Sequence, residues 1–182
     1  MFAKGSVLRR WFGFSILILV FGFTVVRAQE GTVDEVQYRE DYERIQGIIK
    51  ISNVVKRVEG IVTLYEGRRD LNVKLRDYID GIFVQDMETL LKQGDYIPIR
   101  ALSERAIKVR PRFGQAYLFY GVALKNEKKV DEAMTALAKA YVIDNPLQKK
   151  AKQQLDVAYR SANSGSLVGE DEIIAKAKAE LK

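Results

Sequence analysis

The chain has 182 residues, 47% of them hydrophobic and 30% charged, with only three prolines. Those proportions suit one folded core or a short elongated array rather than long disordered linkers. The formal charge is +6, and there is no histidine and no cysteine, which excludes disulfides, thiolate nucleophiles, Cys/His zinc sites, histidine acid–base catalysis and a lipid-modified cysteine.

The positive balance has a local origin. Residues 1–28 hold Lys4, Arg9, Arg10 and Arg27 and no acid, and beyond them twenty-six basic residues face twenty-four acidic ones. Phosphate-driven affinity needs a clustered positive surface, so no nucleic-acid partner is expected. Within that leader a basic start precedes a 16-residue apolar run, Trp11 to Val26, and small residues around Ala28. This is the pattern of a secretory signal peptide over 1–28, with Gln29 as the mature start and an exported, periplasmic or secreted product. The alternative is an uncleaved anchor through residues 11–26, the only membrane contact expected.

Residues 29–35 read as a linker. From Val36 to Tyr65 the spacing of Ile48, Ile51, Val55, Val58, Val62 and Tyr65 predicts one long helix. A second set, Tyr42, Ile45, Ile49, Val54 and Ile61, widens its apolar arc beyond a lone coiled-coil stripe. Its β-branched residues are mediocre helix formers, so packing must hold it. Gly67 is expected as a left-handed C-terminal cap. A second helix over 71–92 carries Leu75, Ile79, Ile82, Phe83, Met87, Leu90 and Leu91, and so short a connection predicts an antiparallel hairpin. Gly94 closes it and Asp95 is placed as the next N-cap.

The stretch from Asp95 to Pro146 carries the clearest grammar. Ala106 and Ala140 stand 34 residues apart, followed by Pro111 and Pro146, the period of paired helices in a solenoid. Tyr117, Tyr120 and Gly121, then Ala133, Leu137 and Ala140, give the aromatic–small and small–large–small series of such a pair. In these residues the chain resembles the tetratricopeptide repeat family, with units about 80–111 and 112–146. It departs from the pattern at Ser103, where a large apolar residue is usual, at Asp86-Met87, where Leu-Gly is usual, and by one extra residue before Pro146. After Pro146, Leu147, Ala151, Leu155, Ala158 and Tyr159 stripe a polar end helix over 147–161. Residues 162–182 hold a turn-rich loop and a final amphipathic helix, Glu170 to Leu181, with acids at its start and lysines later.

The fold class is therefore all-α: antiparallel hairpins stacked as a short tetratricopeptide-like right-handed solenoid, with a long N-terminal helix and a polar C-terminal capping helix. The helical domain spans 36–161. The resemblance implies a groove lined by the first helix of each unit, with Val84, Glu88, Leu91, Gln115, Leu118, Val122 and Lys125 as exposed partner-binding candidates. Some family members grip a peptide carboxylate there with Lys and Asn. The matching positions here are mostly apolar, which suits an amphipathic helix or a helix hairpin instead.

No catalytic residue, cofactor or metal site is expected. Acid pairs such as Asp131/Glu132 and Glu170/Glu172 sit at helix starts, where carboxylates cap, and the 13 glycines form no phosphate loop. Tyr117, Phe119, Tyr120 and Tyr141 read as inter-helix core, Phe119 being the least explained of them. Lys125, Lys128, Lys129, Lys149, Lys150 and Lys152 read as a solvated face. The function these features imply is a non-catalytic exported adaptor for a protein partner. The alternative is a homo-oligomeric envelope spacer built through the 36–65 helix.

Overall fold

The computed structural model describes residues 33–181, so the leader lies outside the described residues. Among them are eight α-helices and no strand. They are α1 (Val33–Ile49), α2 (Val54–Gly67), α3 (Val73–Gln93), α4 (Tyr96–Val109), α5 (Gly114–Asn126), α6 (Val130–Val142), α7 (Gln148–Ala162) and α8 (Glu170–Glu180). The chain divides at Asp41/Tyr42, inside α1, and the packing below belongs to residues 42–181.

The long 36–65 helix is not continuous: it breaks at residues 50–53 into α1 and α2. Ser52 and Asn53 prefer bonds to nearby backbone over helix interiors, and the Asn53 side chain caps α2 by accepting from the Lys56 N–H at 3.0 Å. The break is also held from outside. The Arg57 guanidinium donates to the Ile51 carbonyl at 2.7 Å and forks onto Asp86 of α3 at 2.5 and 2.6 Å. Asp86, odd as a repeat residue, thus fastens the α1–α2 turn. Gly60 lets Ile48 fold back on α2, since an added Cβ would stand 3.3 Å from Ile48 Cγ2.

Two caps differ from expectation. Gly67 stays helical and Arg68 closes α2 instead, its N–H donating to the Leu64 carbonyl at 2.8 Å. Asp95 stands at the N-cap of α4 without a side-chain capping bond. Gly94 does close α3 in the left-handed conformation, φ +77°, with the Asp95 N–H reaching the Leu90 carbonyl at 3.0 Å.

Every helix pair in substantial contact lies one or two helices apart in chain order. The apolar interior is drawn out accordingly. One cluster runs from Ile45 through Val58, Ile61, Tyr65, Ile79, Phe83 and Ile99 to Phe113 and Phe119. A second joins Leu118, Leu137, Leu155, Tyr159 and Ala177. Leu147 touches both. The last face of α6 is covered by α7 and α8 together, not by α7 alone.

Helix α5 is flanked by α4, α6 and α7, so it buries residues all round: Ala116, Leu118, Phe119, Gly121, Ala123 and Leu124. That reverses one reading of the aromatics. Phe119 is fully buried, edge-on to Phe83 at 6.2 Å, while Tyr117, Tyr120 and Tyr141 are half-buried. A helix with several neighbours has no single apolar stripe, so spacing could not pick its core face.

Two substitutions test this packing. A Cβ at Gly121 would lie 2.7 Å from Leu137 Cγ and 3.2 Å from the Ala133 carbonyl, so Gly121→Ala should destabilise by about 1–3 kcal/mol in urea melts. Gly81, mid-α3 with open space around it, should become more stable as Ala by about 1 kcal/mol. Ser103 is fully buried and its hydroxyl has no hydrogen-bond partner among the described residues. Ser103→Ala should therefore raise the melting temperature, by the equivalent of about 1 kcal/mol.

Candidate functional site

The seven groove candidates do not form one open surface. Val84 and Leu91 pack beside the first core cluster and Val122 beside the second. Leu118, expected to be exposed, is 1% exposed and belongs to the second core, because α7 packs over this side of α5. Gln115 lies apart from the others, lining a cleft at the turn edge of the helices.

The remaining two are latched to α7. Glu88 of α3 pairs with Lys150 at 2.8 Å, and the Lys125 ammonium of α5 donates to Gln154 Oε1 at 2.7 Å. Burial pulls Lys125 below the ordinary lysine range, and Gln154 offers it an acceptor but no countercharge. On this side α3, α5 and α7 are drawn together by polar side chains, and Val157 of α7 stands 57% exposed. Lys150 and Gln154 were not among the candidates. They sit on the helix read as a cap, and only the fold brings them opposite Glu88 and Lys125.

Half of the lysine face is neutralised. Lys129 pairs with Glu127 at 2.9 Å, Lys152 with Asp156 and Glu170 at 2.5 and 2.6 Å, and Lys150 with Glu88. Lys128 and Lys149 stand exposed.

The turn-edge cleft encloses about 490 Å³ between the start of α3 and the Pro111 and Pro146 turns. Its wall is a charged cluster that the sequence reading did not anticipate. Arg110 donates to both Asp80 oxygens at 2.5 and 2.9 Å, and the Tyr65 hydroxyl donates to Asp80 Oδ1 at 2.5 Å. The guanidinium also lies 4.7 Å over the Tyr65 ring and 4.1 Å over Phe113. Burial, then the Asp80 charge, pushes the Tyr65 hydroxyl well above its ordinary value. Burial works to lower Arg110, but the bonds to Asp80 outweigh it and leave the group raised. Arg110 and Asp80 answer one another, so the cluster is a clasp between α3 and the α4–α5 turn.

Set against models of protein families, curated proteins and solved structures, the chain matches none of them. The likeness to tetratricopeptide repeats therefore rests on the residues themselves. Among the described residues, no helix is long and apolar enough to cross a membrane.

The clasp makes two measurable statements. Arg110→Leu leaves Asp80 without its cation and should cost about 3 kcal/mol, the low end for a broken buried pair because both side chains keep a solvent edge. Tyr65 keeps its proton in the fold past pH 10, where an unfolded tyrosine releases it. Its contribution is therefore complete below pH 10 and is lost as pH rises further. In urea melts at pH 9 and 11, Tyr65→Phe should lose less stability than wild type across that interval.

Proposed function

We propose that the chain is an exported, non-catalytic adaptor whose 36–161 region is a short tetratricopeptide-like right-handed solenoid, led by a signal peptide over 1–28. The observation that carries this reading is the contact order. Every helix pair in substantial contact lies one or two along the chain, as in quasi-one-dimensional arrays. The close approach of Gly121 to Leu137 and Ala133 supports it, because small residues at the helix crossing are what the repeat uses to bring its paired helices together.

Partner binding is placed on the inner face, at Val84, Glu88, Leu91, Val122 and Lys125, with Lys150, Gln154 and Val157 opposite. The ligand is an amphipathic helix or helix hairpin of another protein. Its apolar side would cover Val122 and Val157, and its polar side would replace the Glu88–Lys150 pair. Opening a half-exposed pair of that kind costs roughly 0–1 kcal/mol, so the latch does not block entry. Leu118 drops out of the binding set.

A photo-crosslinking residue at Val122 or Val157, used in native envelopes, should trap one reproducible protein. Val122→Glu should weaken that capture at least tenfold with helicity unchanged. Equal trapping by wild type and Val122→Glu, or none from either inner-face position, would remove the inner face as the binding surface.

A further inference from the structure

We propose that the pocket between the α2–α3 turn and the end of α4 binds a phosphate monoester, held chiefly by Arg69 and Arg76. The pocket has a volume of about 120 Å³ and is walled by Arg68, Arg69, Arg76 and Arg110, with no carboxylate in its lining. The rest of the wall is Tyr65, Leu71 and Val109, of which Tyr65 and Leu71 are buried. It shares no residue with the inner face, so it is a separate site from the one proposed for a protein partner.

The four guanidiniums are not equally committed. Arg110 is bonded to both oxygens of Asp80, and Arg68 to Asp70 at 3.1 Å. Arg69, exposed, and Arg76, half-buried, make no hydrogen bond or ion pair among the described residues. Arginine cannot shed its proton to relieve the crowding, and a half-buried cation without a counterion is a cost to the fold. Two open charges thus face one small space against an apolar wall, where a bound anion is screened less than in water.

The charge count selects the ligand. A carboxylate would answer one of the two charges, whereas a phosphate monoester carries close to two negative charges at neutral pH. Its terminal oxygens also suit two guanidinium forks. Helix α3 starts just after Leu71, with Asn72 as its cap and no acid in its first turn, so its dipole adds to the same field. The larger turn-edge cleft is lined by Arg76 and Arg110 as well, so the two cavities adjoin there. Asp77 and Asp144 in that cleft would repel a second phosphate and accept hydrogen bonds from hydroxyls. The ligand is therefore a monoester with one phosphate and a neutral, hydroxyl-bearing body, either soluble or the headgroup of a lysophospholipid.

Titration calorimetry of the full chain, in a non-ionic detergent that keeps the leader from associating, should show glycerol phosphate binding at one site. At equal ionic strength acetate should bind at least tenfold more weakly. Glycerol phosphate should also raise the melting temperature, since a ligand of the folded state alone stabilises it. Arg69→Gln with Arg76→Gln should weaken binding at least tenfold with an unchanged circular dichroism spectrum. Arg69→Gln alone, at an exposed position, should weaken it severalfold. Lys128→Gln with Lys149→Gln removes the same charge from exposed positions outside the pocket and should leave binding unchanged. A short-chain lysophosphatidic acid distinguishes the source of the phosphate. Binding tighter than that of glycerol phosphate assigns the pocket to a lipid headgroup, and equal or weaker binding assigns it to a soluble ester. Binding of neither ester, acetate binding as tightly as the esters, or equal loss in the two double variants overturns the proposal.

Discussion

The bidentate bond between Arg110 and Asp80 is the constraint on which the joint between α2, α3 and the α4–α5 turn depends. Three parts of the chain meet at it: α2 through Tyr65, α3 through Asp80, and the α4–α5 turn through Arg110 and Phe113. A carboxylate taken out of water needs several donors, and here it accepts two from the guanidinium and one from a phenol. The planar guanidinium in turn lies over two rings, so its apolar faces are covered as its edges are bonded. Lysine could supply the charge but neither the fork nor the stack. The bond also sets direction, because Arg110 immediately precedes Pro111, whose ring fixes the turn into α5.

From that joint the interior is passed along rather than gathered at a centre. Phe113 and Phe119 bring the start of α5 into the first cluster through Phe83, while Leu118 on the same helix belongs to the second. Among the described residues, α5 is the one element with a fully buried large side chain in each. Each helix is thus supported mainly by neighbours one or two along the chain. The polar fasteners follow the same logic: Arg57 to Asp86, Glu88 to Lys150 and Lys139 to Glu180 each tie one layer to a later one.

The sequence made the helices legible wherever one face was buried and local signals marked the ends. Gly94, the hairpin of α5 and α6, and the final helix from Glu170 were readable for that reason. It misled where a seam carried across a turn. Ile48, Ile51, Val55 and Val58 keep helical spacing through residues 50–53, yet Asn53 capping and the Arg57–Asp86 fork break the helix there. The second of those forces spans 29 residues, and no local window contains it. Asp86 and Ser103 looked like defects in a repeat; Asp86 holds a turn, whereas the buried Ser103 hydroxyl has no physical account. Repeat position misplaced two of the α5 groove candidates, since Leu118 is buried and Gln115 lines the turn-edge cleft. It also passed over Lys150 and Gln154, whose contacts with Glu88 and Lys125 depend on how far α7 folds back.

The first and last helices of residues 42–181 are secured differently. At the C-terminal end the Tyr159 hydroxyl holds the Val168 carbonyl at 2.7 Å, and Lys152 ties Asp156 of α7 to Glu170 of α8. Burial, with Asp156 adding to it, pushes the Glu170 carboxyl up despite Lys152, while Asp156 is drawn down by Lys152 and Glu170 against its own burial. Outside this knot α7 shows Lys149, Gln153 and Arg160 to water, as an end layer should. Among residues 42–181, α1 and α2 carry no comparable carboxylate–lysine knot: Gly67 is bare, and Ile48 and Ile51 are only half covered. What holds them is the fork from Arg57 of α2 onto Asp86 of α3, which also reaches the Ile51 carbonyl, so the first helices are secured by one part-buried arginine and the last by a lysine shared between two acids.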